Sequence, residues 1–253
     1  MQKLADVSKI EALYSGWEES MIWSYFQRVM GEAYVDDIIN PKAAIIYVNC
    51  FAFAAGQVDE NLLQEWYDQV VDGFSIITAR DEAWNLAFER LFQPKCRRVQ
   101  RYAIKKEKDV FDVAHLEKLV QGLDKAYSLK LIDETLYHEC KKYDWSRDFV
   151  HGYQDYEMYQ KYGLGVVAFH NDEMVAGASS YSSYQDGIEI EIDTKEDYRR
   201  KGLATVCGAK LILECLKRGW YPSWDAQNTW SVSLAEKLGY QYSHTYTAYE
   251  VWK

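Results

Sequence analysis

The sequence predicts an α/β fold of the α+β kind: a mixed central sheet flanked by helices, preceded by a smaller α/β N-terminal domain. Three observations predict it. Strand-like and helix-like segments alternate along the whole chain. The 253 residues, 48% of them hydrophobic, exceed one ordinary domain and suffice for two cores. The element order changes character between residues 125 and 150 with no Pro/Gly/Ser linker, which divides the chain into residues 1–130 and 131–253.

Residues 9–31 read as a helix, with Ile10, Leu13, Tyr14 and Trp17 on one face. "AAIIYVNCFAFAAG" (43–56) reads as a buried strand pair around Asn49. Residues 60–72 and 81–92 follow as helices, with the strand "GFSIITA" (73–79) between them. A strand over 99–106, a helix over 112–123, a strand over 127–133 and a helix over 134–142 continue the alternation. "GLGVVAFH", the turn Asn171-Asp172 and "MVAGASSYSSY" predict a β-hairpin. "GIEIEIDT" (187–194) is the next strand, and a helix over 203–217 ends at Gly219, a residue suited to a C-cap. "YPSWDA" (221–226) reads as a strand, 229–238 as a helix closed by Gly239, and 241–252 as a last alternating strand. "AIIYVNCFAFAAG" and "VVAFHNDEMVAGA" both end a strand pair in Ala-Gly. That echo fits either a degenerate duplication or chance.

Lys and Arg total 29 against 39 Asp and Glu, a formal net charge of -10. General attraction to nucleic acid or to an anionic membrane is thereby excluded, since both require a basic surface. The N-terminus has no apolar h-region, so no secretory signal is predicted. The longest uncharged run, Ala43–Val58, is too short to span a bilayer. The five cysteines show no C-x-x-C spacing. Cys207 and Cys215 lie about 12 Å apart along one predicted helix, too far for a disulfide. Free thiols point to a reducing, cytoplasmic setting. The five histidines have no metal-ligand spacing, and no metal site is predicted. The 21 Tyr and 9 Trp are read as core and domain-interface packing.

The chemistry concentrates in "GIEIEIDTKEDYRRKGLAT" (187–205). Alternation places Ile188, Ile190 and Ile192 on one strand face, and Glu189, Glu191 and Asp193 on the other. Two readings stand for the acidic face: a solvated sheet surface, or a general base whose pKa like charges and burial raise towards neutrality. Next, Arg199, Arg200 and Lys201 precede Gly202 and a helix start. A helix N-terminus offers unpaired N–H groups and the positive end of the dipole. Gly202 permits close backbone approach, small Ala204 keeps that approach open, and Leu203 turns inward. The helix predicts a buried stripe of Val206, Ala209, Leu213 and Leu216, and a wet one of Lys210, Glu214 and Lys217. Three cations on an acidic protein therefore mark a local anion site.

Arg199-x-x-Gly202-x-Ala204 resembles the acyl-CoA motif of the GNAT N-acetyltransferase superfamily. "WDAQNTWSVSLAEKLGY" (224–240) resembles the family's following strand and helix, through Asn228, Ser231, Leu234, Lys237, Leu238, Gly239 and Tyr240. The resemblance covers about 163–252. "GIEIEIDTKEDYRRKGLAT" and "YPSWDAQN" are similar to the branch that includes zwittermicin-resistance-type acetyltransferases, in which a less typical domain precedes the GNAT domain. The resemblance implies a GNAT-like mixed sheet, acetyl-CoA as cosubstrate and a less typical N-terminal domain, for which the Ala-Gly echo leaves a degenerate GNAT-like copy open. It implies backbone groups of Ile192 and Thr194 for the pantetheine arm, and Arg199, Arg200, Lys201, Gly202, Leu203, Ala204 and Thr205 around the pyrophosphate. Asn228 would lie near the pantetheine or the thiol, or serve only as a helix N-cap. Ala235 departs from the family pattern, since many members carry a general-acid tyrosine there; Tyr240, Tyr242 or water stand as substitutes.

The function expected is transfer of an acetyl group from acetyl-CoA to a primary amine of a small molecule or peptide. The amine attacks directly, Glu191 acts as base with Glu189 as the other candidate, and a backbone N–H near Thr194 holds the oxyanion. The rival readings are a non-catalytic acetyl-CoA sensor, a protein N-acetyltransferase, and an N-terminal half devoted to partner binding. The sequence leaves room for a homodimer.

Overall fold

The computed structural model describes residues 1–107 and 109–253. The chain divides into two units, Met1–Arg101 with Thr245–Lys253, and Tyr102–His244. Each is a sheet flanked by helices, as the alternation predicts. The sequence-based boundary at 130 lies within a strand of the second unit.

The first unit opens with β1 (Gln2–Lys3), β2 (Glu32–Val35), β3 (Ala43–Val48) and β4 (Phe51–Gly56), each antiparallel to the one before. Helix α2 (Glu60–Gln69) then leads to β5 (Phe74–Ala79), which lies parallel to β4. Helix α3 (Glu82–Phe92) and the start of β6 (Cys96–Ile104) follow, and the last residues of β13 (Tyr242–Trp252) pair with β5. Trp66, Trp84, Phe88 and Tyr249 fill the core. The helix expected over 9–31 is not continuous. A 3-10 turn over Val7–Tyr14 is followed by Gly16 at φ 77°, then by α1 (Ser20–Phe26). Gly16 interrupts the helix because it adopts the left-handed conformation that ends helices. The exposed strand β1 and the short β2 carry no periodic signal long enough to read.

The second unit repeats that order. β7 (Tyr127–Leu131), β8 (Gly165–His170), β9 (Glu173–Tyr184) and β10 (Gly187–Thr194) form an antiparallel meander. Helix α8 (Leu203–Lys217) leads to β11 (Tyr221–Ser223), parallel to β10. The remaining helices of this unit are α4 (Val113–Gln121), α5 (Glu134–Cys140), α6 (Asp144–Arg147), α7 (Tyr156–Tyr162) and α9 (Thr229–Lys237). The predicted strand over 221–226 is two strands. After Trp224, β12 (Asp225–Ala226) pairs with Tyr102 and Ala103 of β6 instead of with β10. The shared order sets β3 and β4 against β9 and β10, one strand later than the Ala-Gly echo in the sequence aligns them.

The β8–β9 hairpin turns on Asn171 and Asp172, with Asn171 at φ 55°. Asn tolerates that conformation, which two-residue hairpins require. Helix α8 packs against β8, β9, β10 and α4. It is therefore buried nearly all round, and its predicted two-stripe pattern fails at two positions. Leu216 is 36% exposed, while Glu214 is 8% exposed. Glu214 accepts from Lys210, Lys217 and Arg218 at 2.8, 2.8 and 3.1 Å. Burial pushes its carboxyl up, but the three cations outweigh it and hold the pKa at about 2. A depressed carboxylate pKa stabilises the fold above the unfolded value and loses that contribution as pH falls through the folded one. Glu214→Gln should thus lower stability by on the order of 2 kcal/mol at pH 7, discounted for the exposed Lys217 and Arg218. Urea titration of both proteins checks this; the difference should shrink between about pH 5 and pH 2.

Candidate active site

All residues named as site candidates fall in the second unit, on β10, in the loop that follows it, and at the starts of α8 and α9. β10 and β11 are paired only over Gly187–Glu189 and Tyr221–Ser223. A Cβ on Gly187 would lie 2.3 Å from Tyr221 O, so this position requires glycine where the strands meet. Beyond Ser223, Trp224 takes the chain away. Its indole Nε1 donates to Ser231 Oγ at 3.1 Å, and its ring meets Tyr240 edge-on at 5.4 Å. The Tyr240 hydroxyl donates to Pro222 O at 2.6 Å, which fixes the end of β11 from the other side. The β11-side edge of β10 from Ile190 to Thr194 therefore has no strand beside it among the described residues.

Which backbone groups face that open edge follows from the pairing with β9. Lys195 N donates to Val175 O at 2.9 Å. Antiparallel alternation then turns the N–H and C=O of Ile192 and Thr194 to the open side. The Thr194 N–H is engaged by Asp193 Oδ1 at 2.6 Å, and Thr194 O accepts from Arg199 Nε at 3.2 Å. Ile192 keeps its pair of edge groups. Its side chain packs towards α8 with Ile188 and Ile190, as the alternation predicts.

The acidic face of β10 is covered. Glu189 is 5% exposed, opposite Ser182 on β9 and Ser223 on β11, whereas Glu191 and Asp193 are half-buried. The register shifts between Glu189 and Ile190, where Tyr181 is the additional residue of β9. Glu189 lies close enough to Tyr184, Tyr221 and Tyr240 to add to the upward pKa shift that burial gives each hydroxyl. Tyr184 also bonds Ser223 Oγ at 2.9 Å. For Asp193, burial raises the carboxyl pKa, and Asp148 adds to this; Thr194 N and the Arg199 guanidinium oppose it.

The loop after β10 is shaped by two left-handed residues, Arg200 at φ 63° and Gly202 at φ 81°. Gly202 is the N-cap of α8, and no side chain among the described residues caps the helix. Its first N–H groups are left exposed to solvent or ligand. A Cβ on Gly202 would meet nothing within 4 Å, so the space before the helix is clear. Leu203 is buried, while Ala204 and Thr205 are half-buried. The three cations diverge. Arg199 folds back on the end of β10, Lys201 lies 4.6 Å over the Tyr198 ring, and Arg200 is exposed. Asn228 Oδ1 accepts from Ser231 N at 3.0 Å and so caps α9. Ala235, which stands where many GNAT proteins carry a general-acid tyrosine, is buried, and the hydroxyl of Tyr240 is already engaged by Pro222 O.

The corresponding turn of the first unit is closed. Asp59 Oδ1 accepts from Leu62 N at 2.9 Å and Glu60 sits in the first turn of α2. Both carboxylates repel an anion from the place where α8 is open.

This arrangement agrees with what the chain is similar to. The model of the GNAT acetyltransferase family matches residues 11–249. The chain belongs to the GNAT acetyltransferase family. A GCN5-related N-acetyltransferase-like protein from Streptococcus suis 89/1591 is 43% identical, with TM-score 0.91 over 97% of this chain and 98% of that one. The uncharacterized N-acetyltransferase YdfB of Bacillus subtilis (strain 168) is 26% identical over 233 residues, 88% of this chain and 86% of that protein. A tandem GNAT protein from the clavulanic acid biosynthesis pathway has the same fold at 10% identity, with TM-score 0.52 over 88% of this chain and 82% of that one. As a GNAT protein the chain is an acetyl-CoA-dependent acyltransferase.

Three features fit the acidic end and arm of acetyl-CoA. They are the uncapped start of α8, the clear space before Gly202, and Thr194 Oγ1, a buried hydroxyl with no hydrogen-bond partner among the described residues. No group of three or more His, Cys, Asp or Glu among the described residues is placed to hold a metal. No helix among them is long and apolar enough to cross a membrane. The sequence reading missed the residues that part the strands and shape the loop, Trp224 and Tyr198. Trp224 was legible only as a strand aromatic, and Tyr198 as one tyrosine among many.

Gly202→Val tests the loop. The substitution forces a β-branched residue to a positive φ, with a stability cost of about 1–3 kcal/mol. It also fills the clear space. The variant should remain folded by circular dichroism and lose the rise in melting temperature that acetyl-CoA gives the native protein.

Proposed function

We propose that this enzyme acetylates a primary amine of a small molecule or peptide. Acetyl-CoA supplies an acetyl thioester, activated because a thiolate is a good leaving group. The observation that carries the reading is the open edge of β10 ending at an uncapped, glycine-started helix. In this reading Arg199, Arg200, Lys201, Gly202, Leu203, Ala204 and Thr205 surround the pyrophosphate, through backbone N–H groups of the loop and through charge. Ile192 and Thr194 line the pantetheine arm, and Asn228 stands beside it while capping α9.

Glu191 lies beyond the last β10–β11 pair, on the segment that keeps β9 on one side and is unpaired on the β11 side. It takes the proton released as the amine attacks, directly or through water. Glu189 is the second candidate, two residues earlier and more deeply buried. The Ile192 N–H, aimed at the open edge, is the backbone donor for developing negative charge, since Asp193 engages the Thr194 N–H. Water returns the proton to the thiolate in place of a tyrosine at position 235.

The similarity of 187–205 and 221–228 to zwittermicin-resistance-type acetyltransferases supports a place in that branch. The shared strand order of the two units, and Asp59 at the start of α2, support a first unit that is a degenerate copy without an anion site. An acidic chain without a membrane-spanning helix among its described residues suits a cytoplasmic enzyme acting on a cationic amine.

Release of free CoA on incubation with a panel of polyamines, aminoglycosides and peptide amines tests the activity. Release with none of these acceptor classes removes the amine-acetylation reading. With a working acceptor, Glu191→Gln should bind acetyl-CoA almost normally and lose about a hundred- to ten-thousand-fold in rate, with loss of the acid limb of the pH–rate profile. If both Glu191→Gln and Glu189→Gln stay within a few-fold of the native rate from about pH 6 to 9, the base is not on β10.

A further inference from the structure

The cations at the anion loop differ in what holds them. Arg199 is tied to the end of β10. Lys201 has no carboxylate partner among the described residues; its ammonium rests 4.6 Å above the Tyr198 ring. Tyr198 is in turn fixed at its other end. Its hydroxyl donates to Glu173 Oε2 at 3.0 Å and lies 3.2 Å from His170 Nδ1, whose N–H it can accept. Lys195 pairs with the second oxygen of Glu173. These bonds from Lys195 and Tyr198 hold the Glu173 carboxyl below the usual range. Beyond His170, tilted against it at 5.2 Å between ring centroids, is the ring of Tyr127 on β7.

His170 and Glu173 are the two residues that close the β8–β9 hairpin, one on each side of its turn. Tyr198 ends the 3-10 turn of Glu196–Tyr198, immediately before the loop. One side chain therefore links a rigid hairpin to a loop in which Arg200 and Gly202 both take left-handed conformations. A lysine ammonium on a four-carbon stem is mobile, and its ordering costs entropy each time a ligand binds. Over an aromatic face it is held without being neutralised, because the ring quadrupole attracts the cation but supplies no counter-charge.

We propose that Tyr198 is a positioning residue for acetyl-CoA binding. It holds the Lys201 ammonium beside the open start of α8 with its charge available to the phosphates, and the Glu173–His170 pair holds Tyr198. The proposal rests on the acetyl-CoA site at α8 described above, and deepens it by assigning the residue that sets one of its cations. Tyr198 itself touches no phosphate in this assignment; it acts through Lys201.

The test is a double-mutant cycle on acetyl-CoA affinity, measured by calorimetry for the native protein, Tyr198→Leu, Lys201→Ala and the double variant, with Tyr198→Phe alongside. Tyr198→Leu should weaken binding about five- to tenfold, and Lys201→Ala by a similar factor. The double variant should be within about twofold of Lys201→Ala alone, because both single changes remove one interaction. Tyr198→Phe keeps the ring and should fall between the native protein and Tyr198→Leu. Raising salt from about 0.05 to 0.3 M should weaken native binding more than that of Tyr198→Leu or Lys201→Ala, since one screened contact is already lost. Multiplying single effects, or a native salt dependence in Tyr198→Leu, would overturn the proposal, because a merely structural tyrosine gives that pattern. Native-like affinity in Tyr198→Leu overturns this inference alone. Failure of the native protein to bind millimolar acetyl-CoA overturns the site reading and the inference with it.

Discussion

After the pair formed by Glu189 and Ser223, β10 and β11 no longer share a ladder, and the site is built on that separation. Parallel strands that stay paired leave no backbone free for a ligand. Here the cause of parting is local. Trp224 is anchored to Ser231 and Tyr240, Tyr240 is anchored to Pro222 O, and the chain that would have continued β11 pairs with β6 instead. The open backbone of Ile192 and Thr194 and the start of α8 both lie beyond the parting point. Loss of Trp224 would cost packing in the core and would also remove the reason for the two strands to diverge.

The two units make an internal comparison. Each runs through a four-stranded meander, a helix and a parallel fifth strand. They differ where the fourth strand gives way to the helix. In the first unit Asp59 caps α2 and Glu60 adds charge, so the helix satisfies its own N–H groups and repels anions. In the second unit, left-handed Gly202 leaves α8 without a side-chain cap. A glycine N-cap costs about a few tenths of a kcal/mol relative to a good side-chain cap. That cost is consistent with a function that needs the N–H groups, and it falls on the unit that carries the acyl-CoA motif.

Legibility from sequence followed the range of the interactions. The β8–β9 hairpin, the isoleucine face of β10 and the glycine-started α8 were readable, because each depends on neighbours within a few residues. The Asn228 cap was readable for the same reason. The split of 221–226 into β11 and β12 was not, because it is decided by Trp224 and Tyr240, sixteen positions apart. The wet stripe assigned to α8 failed at Glu214 because helix periodicity does not show that α8 packs against α4 as well as the sheet; the three cations round the carboxylate lie within four residues of it on the same helix end. The basic triplet was legible as an anion site, but not the divergence of its members. Arg199 turns back to Thr194 O and Lys201 to the Tyr198 ring, contacts set by a loop in which Arg200 and Gly202 are left-handed, a conformation that residue spacing does not show.

Hydrogen–deuterium exchange with and without acetyl-CoA tests the central claim most directly, since it reports on the backbone groups to which the site has been assigned. The account predicts slower exchange confined to residues 190–194 and 199–206, the open edge of β10 and the start of α8, with residues 57–63 at the capped start of α2 unchanged. Protection at 57–63, or saturable binding that leaves 199–206 unprotected, would contradict it.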